Sequence, residues 1–237
     1  MTQTNIGDGL FIAILLVIAS GLIALAGPRL FAHGRTISAE HILWNVNQGT
    51  LEPGAPRIDR ARDAYLEAAT IGVDSSYFFM REGSSLITQL NSVEEAHLPQ
   101  ALSDLRTAYT SVLIQRPMYA PAWPRLAMVS LRQDNEPDEL IRFLRASYII
   151  GRHDFRLRLM RVWVALRMWN TLDEELQRNV RTDAQMLWVP RRRHDLADLY
   201  YRSSFSQRVL LRTLLANDED AKRLGNLTQE LFDQGRL

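Results

Sequence analysis

The side chains best suited to chemistry are arginines interleaved with aromatic rings between positions 155 and 169. Guanidinium groups bind carboxylates and phosphates through paired hydrogen bonds, so this stretch could hold an acidic peptide, a phosphate or an acidic polysaccharide. A structural alternative exists, because every third or fourth residue is apolar and would form a core-facing helical stripe with a solvated basic edge. The arginines concerned are Arg156, Arg158, Arg161 and Arg167; the stripe is Phe155, Leu159, Val162, Trp163 and Leu166.

A second basic cluster, Arg191 to His194, follows Pro190 where a helix is expected to begin. Positive charge at a helix N-terminus opposes the helix dipole. The cluster is therefore a candidate contact for an anion or an anionic lipid headgroup. The alternative interpretation is a basic turn exposed to solvent.

No pattern in the chain is typical of an active site. The five histidines lack metal-ligand spacing with carboxylates, and neither HExxH nor a Gly-rich phosphate loop is present. The absence of cysteine excludes disulfides, thiolate metal sites and a cysteine nucleophile. We therefore expect a protein that is not an enzyme and has no cofactor or metal. An enzyme acting on a glycan or lipid-linked substrate remains the alternative, and it would need a clustered acid pair in a pocket.

An uncharged apolar segment occupies residues 9–28, between Asp8 and Arg29. Twenty helical residues span about 30 Å, which matches the hydrocarbon core of a bilayer. The preceding residues 1–8 contain no Lys or Arg, and the apolar run is longer than the core of a signal peptide. The pattern favours a retained transmembrane anchor. A cleaved signal ending at Ala24–Ala26, a hairpin or a buried core helix are the alternatives.

The flanking charges indicate an orientation for this anchor. Arg29 and Arg35 follow it, and three more arginines lie between positions 57 and 62. Positively charged flanks stay in the cytoplasm, so we expect a single-pass bacterial inner-membrane protein with a cytoplasmic domain. A periplasmic domain is the alternative. The net charge of +1 offers no bulk attraction to nucleic acid, which we do not expect as a partner.

The remaining chain reads as helices separated by Gly and Pro. We expect a short tail at 1–8, the anchor at 9–28, a juxtamembrane helix and Pro/Gly linker at 29–56, and a folded all-α domain at 57–237. The juxtamembrane helix is predicted at Thr36–Gln48. The domain helices are predicted at 57–70, 76–90 (interrupted by Gly83), 99–115, 121–133, 137–150, 154–169, 172–186, 191–201, 204–216 and 218–234. Thr171, three residues before Glu174, predicts a capping box, and the acidic residues 218–220 that follow Asn217 suit a helix N-terminus.

One stretch resembles the junction between two tetratricopeptide (TPR) repeats. Tyr109, Pro117, Trp123, Leu126 and Ala127 lie at the offsets where such repeats have an aromatic, a helix-ending proline, a second aromatic and a Leu-Ala pair. The resemblance extends over about Leu102 to Trp169. It implies a superhelical stack of helix pairs whose concave face binds an extended peptide or a helix. Another all-α arrangement remains open.

The overall layout also resembles anchored TPR-like proteins found beside bacterial polysaccharide synthesis and export machinery. That resemblance implies an assembly or accessory factor that binds other membrane or envelope proteins, with residues 9–28 in the lipid bilayer. The alternative is a structural subunit of a membrane complex. We predict a partner surface that includes five residues: Tyr119, Trp123, Arg156, Arg161 and Trp163.

Overall fold

The computed structural model describes residues 6–52, 56–72, 74–90 and 93–236. Within these ranges the chain is helical and contains no strand, so the all-α prediction is confirmed. Two compact units are present, unit 1 at Met1–Arg116 and unit 2 at Pro117–Leu237. Part of the predicted tail and of the predicted linker lies outside the described residues.

Unit 1 begins with one helix that is much longer than predicted. Helix α1 runs without interruption over Ile6–Asn47 and contains Pro28 in its interior. The predicted anchor and the predicted juxtamembrane helix are therefore one element, and the expected break between them is wrong. A proline removes one backbone hydrogen bond, but its fixed φ is compatible with a helix. Tertiary packing of the following turns compensates for that lost hydrogen bond.

The C-terminal half of α1 belongs to the folded core of unit 1. Ala32, Thr36, Ala39 and Leu43 recur at helical spacing and are all buried. The apolar members of this face pack with Tyr65 and other core residues of α2 and α3. These buried residues lie before residue 57, where the folded domain was expected to start. By contrast, residues 11–26 are exposed along their whole length.

Ion pairs hold the same half of α1 against its neighbours. Arg81 donates through Nε to Glu40 at 2.8 Å and makes a second contact through its Nη2. The Tyr77 hydroxyl donates to the same carboxylate at 2.8 Å. Burial alone would raise the pKa of Glu40, but the hydrogen bonds from Arg81 and Tyr77 outweigh it and lower the pKa. A second ion pair, Arg35 with Glu67, joins α1 to α2.

Three further helices complete unit 1, with α2 packed on both α1 and α3, and α3 on α4. Gly83 does not interrupt α3, contrary to the prediction. A Cβ at Gly83 would lie 2.6 Å from Cε1 of the fully buried Tyr109 ring on α4. The glycine therefore permits close helix packing. The helices are α2 Pro56–Thr70, α3 Ser75–Gln89 and α4 Leu98–Gln115.

Unit 2 contains seven helices in the described residues. Helix α5 packs on both α6 and α7, α7 packs on α8, and α9 packs on α11. Asn217 caps α11 by accepting from Asp220 N, and α8 is capped by Asp173 rather than by the predicted Thr171. The helices are α5 Ala122–Arg132, α6 Pro137–Ile150, α7 Arg158–Arg167, α8 Glu174–Leu187, α9 Arg193–Arg202, α10 Phe205–Leu214 and α11 Asp218–Asp233.

The contact at Gly83 generates a matched pair of predictions. Gly83→Ala should lower the free energy of unfolding by about 1–3 kcal/mol, because the added methyl group overlaps the Tyr109 ring. Gly225→Ala, in α11 with open space around the glycine, should raise it by about 0.5–1 kcal/mol. Urea unfolding of the full chain in detergent, followed by circular dichroism, measures both. If both variants changed the free energy of unfolding equally and in the same direction, the packing role of Gly83 would be contradicted.

Candidate protein-binding groove

Three helices of unit 2, α5, α7 and α9, surround an open groove of about 310 Å³, which we call the Trp163 groove. Its lining combines thioether and aliphatic side chains with an indole and several charges. That mixture, with Trp, Met and Arg together, is typical of surfaces that bind other proteins. The lining residues are Met128, Arg132, Leu159, Met160, Trp163, Arg167, Asp195, Asp198, Leu199 and Arg202.

Two guanidinium groups flank the Trp163 indole. The Arg167 Cζ lies 3.8 Å from the ring centroid and the Arg132 Cζ lies 5.9 Å from it, both within cation–π range. Arg167 also donates to the backbone oxygen of Trp163 at 2.9 Å. Within the part of the chain that the structure describes, neither Arg132 nor Arg167 has an ion-pair partner. Two carboxylates, Asp195 and Asp198, line the same groove on α9, so the positive charge that stays unpaired among the described residues is that of Arg132 and Arg167.

Local electrostatics make this charge receptive to an anion. Burial lowers the pKa of Arg167, and the nearby Arg132 lowers it further because two like charges repel. A carboxylate bound near the two guanidinium groups would offset their mutual repulsion and accept their hydrogen bonds. On the α9 side, Arg202 is already paired with Asp198 at 2.8 Å. The free positive charge is thus confined to the α5 and α7 side.

Arg161 is not at a partner surface, so that part of the predicted set is wrong. Its side chain is fully buried, and its guanidinium group closes the end of α6. It donates to Ser147 Oγ at 2.8 Å, to Ser147 O at 2.7 Å and to Gly151 O at 2.6 Å. A helix ends with unpaired carbonyls, which explains why a buried donor is needed here. The predicted solvated basic edge therefore does not include Arg161.

A buried carboxylate completes the Arg161 network. Asp183 of α8 lies 3.5 Å from Nη1 of Arg161 and 3.5 Å from Nε of Arg158. The Tyr148 ring lies 4.6 Å from the Arg161 guanidinium carbon. Burial raises the pKa of Asp183, and the neighbouring arginines oppose that rise. The network joins α6, α7 and α8 in the buried interior of unit 2.

The other predicted partner residues are scattered around the start of unit 2. Trp123 donates through Nε1 to Pro117 O at 3.0 Å and packs against Phe143, so it is partly committed to the fold. Arg156 is exposed and donates to Asp154 Oδ1 at 3.1 Å and Oδ2 at 3.0 Å, and these hydrogen bonds raise its pKa. Neither Tyr119 nor Arg156 lines the groove. Among the five predicted residues, Trp163 is the groove residue.

Sequence reasoning missed most of the groove. The residues on α5 and α9 are distant in sequence, and only the fold brings them beside Trp163. A usable signal existed in Arg167, which lies four residues after Trp163 and so stacks on its ring in any helix. The predicted basic cluster at Arg191 to His194 is exposed at the start of α9. Within it Arg192 pairs with Asp195 at 3.0 Å.

Unit 1 contains the described carboxylates that come closest to a catalytic arrangement. An open groove of about 270 Å³ is lined in part by Asp59, Asp104 and Arg62. Each carboxylate accepts from a glutamine amide, Gln89 and Gln100 respectively, at 2.9 and 2.7 Å. Among the described residues no group of three or more His, Cys, Asp or Glu could hold a metal ion. These amide partners suit surface carboxylates, and His97 lines the same groove.

The Arg161 network predicts opposite outcomes for two arginines on the same stretch. Arg161→Met should lower the free energy of unfolding by about 3–5 kcal/mol, because Asp183 and two helix-end carbonyls lose a buried partner. Arg156→Met should leave the unfolding midpoint unchanged, since Arg156 is solvated. Thermal and urea unfolding of the full chain measure both. Similar small effects from both variants would show that Arg161 is not the buried centre of unit 2.

Glu82 predicts how the stability of unit 1 changes with pH. Burial raises the pKa of Glu82 to about 7; Arg62 opposes the shift, and Asp104 and Asp63 add to it. Because the folded-state pKa exceeds the unfolded value of 4.5, the unfolded chain loses its proton first and stability falls as pH rises from 4.5 to 7. Glu82→Gln should remove this fall and add up to about 3 kcal/mol at pH 8.

Urea titrations at pH 5 and pH 8 test the Glu82 prediction, with Glu95→Gln as the control because Glu95 is exposed. The stabilisation by Glu82→Gln should appear at pH 8 and shrink toward pH 5. Equal stabilisation at both values, or the same gain from Glu95→Gln, would contradict a buried carboxyl that titrates near neutrality.

Comparisons with known proteins identify no family for this chain. No protein-family model matches it, and searches of curated proteins and of solved structures give no match. The resemblance to TPR repeats therefore stays a prediction. The function is inferred below from the residues and contacts of the chain itself.

Proposed function

We propose that this protein is a single-pass membrane protein whose helical domain binds another protein, as an assembly or accessory factor in the bacterial cell envelope. The observation that carries the proposal is the Trp163 groove, where two guanidinium groups without an ion-pair partner among the described residues lie beside an indole and apolar side chains. Binding of a protein segment needs both an apolar anchor site and a charge partner, and the groove has both.

The membrane part of the proposal rests on α1. Its N-terminal half is long and apolar enough to cross a bilayer, and none of the side chains in its apolar window is buried in the protein. A soluble protein rarely exposes so large a continuous apolar surface to water. The arginines at 29 and 35 favour a cytoplasmic location for the two units, with the periplasm as the alternative.

Helix pairing supports a TPR-like arrangement in unit 2. Helix α5 packs on its partner α6 and also on α7, the first helix of the following pair, as stacked helix pairs do. Trp123 packs against Phe143 of α6, in the position expected for the aromatic residue between paired helices. Gly151 replaces the proline of a regular repeat, because a Cβ there would lie 2.8 Å from Ala120 Cβ.

The groove indicates the chemistry of the bound segment. Met128, Leu159, Met160 and Leu199 suit an apolar side chain, and the adaptable thioethers tolerate different shapes. Arg132 and Arg167 suit an aspartate, a glutamate or a C-terminal carboxylate within hydrogen-bond reach. We therefore infer that the partner presents an apolar residue next to an acidic group.

A photocrosslinking experiment in intact membranes tests the groove. Benzoylphenylalanine at Met160, on the groove, should crosslink to a partner protein, whereas the same residue at the exposed Arg181 of α8 should not. Adding Trp163→Ala to the Met160 variant should reduce the crosslink by about tenfold, as expected for loss of an interface aromatic. Equal crosslinking at both positions, or no effect of Trp163→Ala, would refute a partner site in the groove.

The alternative function, a structural subunit of a membrane complex, is favoured by the continuity of α1 from the apolar segment into unit 1. An anchor swap separates the two functions. If the groove carries the function, replacing residues 9–28 by an unrelated membrane helix should preserve the Met160 crosslink. Loss of the crosslink with retained membrane insertion would favour the structural subunit.

Protease accessibility tests the proposed orientation. Intact spheroplasts that contain the full chain should protect unit 1 and unit 2, and lysis should expose them to digestion. Digestion before lysis would place the units in the periplasm and contradict the orientation inferred from Arg29 and Arg35.

A further inference from the structure

Helix α1 carries a column of large apolar residues that remain mostly exposed in the part of the chain that the structure describes. The column repeats every seven residues and runs from the apolar segment into the part of α1 that packs on unit 1. Each member is more than half exposed, and the values range from 58% to 73%. The column consists of Leu16, Ile23, Leu30, Ile37 and Trp44.

A second column, of mostly small residues, lies beside the first and also repeats every seven residues. Three or four residues separate neighbouring members of the two columns, which is the spacing of one helix–helix seam. A helix interior disfavours glycine, yet a Cβ at Gly27 or Gly34 would meet nothing within 4 Å. The fold of the chain itself therefore gives no reason for these glycines. The column consists of Ala13, Ser20, Gly27, Gly34 and His41.

The seam lies on the side of α1 that faces away from unit 1. Ala32, Thr36, Ala39 and Leu43 form the buried face, and these positions lie roughly opposite the two columns on a helix of 3.6 residues per turn. The α1 charges nearby are directed to unit 1, since Arg29 pairs with Asp74, Arg35 with Glu67 and Glu40 with Arg81. No acidic or basic side chain interrupts the seam, apart from His41.

Lipid does not cover the C-terminal part of the seam. If the hydrocarbon core ends at Pro28, Ile37 lies about 14 Å and Trp44 about 24 Å further along the helix axis. The headgroup layer on one side of a bilayer is only about 5–8 Å deep. Ile37 and Trp44 would therefore face water unless a protein covers them.

We propose that a second copy of this chain covers the seam, so that two α1 helices pair in parallel and in register across the membrane and beyond it. Any occupant must cross the bilayer and continue as a helix for about 24 Å on the same side. A second copy inserted in the same direction meets both requirements and places small residues opposite small ones. Small residues allow the close approach that joins helices within lipid.

The size of the seam is sufficient for a dimer. From Ala13 to Trp44 it is about 47 Å long, and a helix with side chains is about 10–12 Å wide. The pair therefore covers roughly 1,000 Å² in total, the area at which an interface becomes specific. A strict seven-residue period further predicts a left-handed supercoil.

Cysteine crosslinking in native membranes tests this proposal, because the natural chain has no cysteine. Ile23→Cys and Ile37→Cys, on the seam, should form disulfide-linked dimers on oxidation with copper phenanthroline. Leu25→Cys, which is as exposed as Ile23, and Arg35→Cys lie off the seam and should give about tenfold less dimer, since Cα atoms more than about 7 Å apart cannot be bridged. Equal yields at all four positions would overturn the proposal.

Two glycine variants supply the matched control, with the Ile37→Cys dimer as the readout. Gly27→Leu should reduce the yield about tenfold by separating the helices, whereas Gly21→Leu, off the seam, should leave it unchanged. Neither added side chain would clash within the chain at its Cβ. Equal effects of the two variants would refute a seam through Gly27. An absence of dimer at Ile37→Cys would contradict pairing over the C-terminal part of the seam.

The pairing rests on the membrane anchor proposed above, and carbonate extraction of the same membranes keeps the two claims separate. Protein released by carbonate would contradict the anchor. Protein that resists carbonate but gives no dimer at either seam position would contradict the pairing alone.

Discussion

The packing of α1 against α2 and α3 is the constraint on which the rest of the account depends. Ala32, Thr36, Ala39 and Leu43 are buried there, and the bidentate contact of Arg81 with Glu40 fixes the helix rotation. Small residues on this face let the helices approach closely, so rotation of α1 would cost both packing and a half-buried ion pair. The exposed apolar segment is thus a rigid extension of unit 1, with no flexible linker between them.

This rigidity links the proposed functions. One face of α1 is committed to unit 1, which leaves the opposite face, with its seven-residue repeat, free over its full length. In unit 2 a similar division of roles exists among the arginines. Arg161 donates to the C-terminal end of α6 and pairs with Asp183. Arg132 and Arg167, beside Trp163, remain available to bind a partner. In both units, the residues without a structural task are those that suit a partner.

The sequence predicted the fold class and most helices, because apolar periodicity and N-terminal Pro or Asn are local signals. Helix α6 has the predicted bounds. The breaks expected at Pro28 and Gly83 are absent, and at Gly83 the reason is a packing partner distant in sequence, Tyr109. Arg161 was misplaced for the same reason: its acceptors Ser147 and Gly151 lie at the end of another helix. Trp163 was recognised, and Leu159 and Arg167 were named on the same stretch, but the groove residues on α5 and α9 were not.

Backbone amide hydrogen exchange across residues 29–36, in the full chain reconstituted in lipid, tests the central claim most directly. If α1 is one helix that joins the membrane to unit 1, these amides should exchange as slowly as those of α2, because each is hydrogen-bonded and one face is buried. Rapid exchange at 29–36, with slow exchange on both sides, would reveal a flexible hinge and contradict the rigid connection.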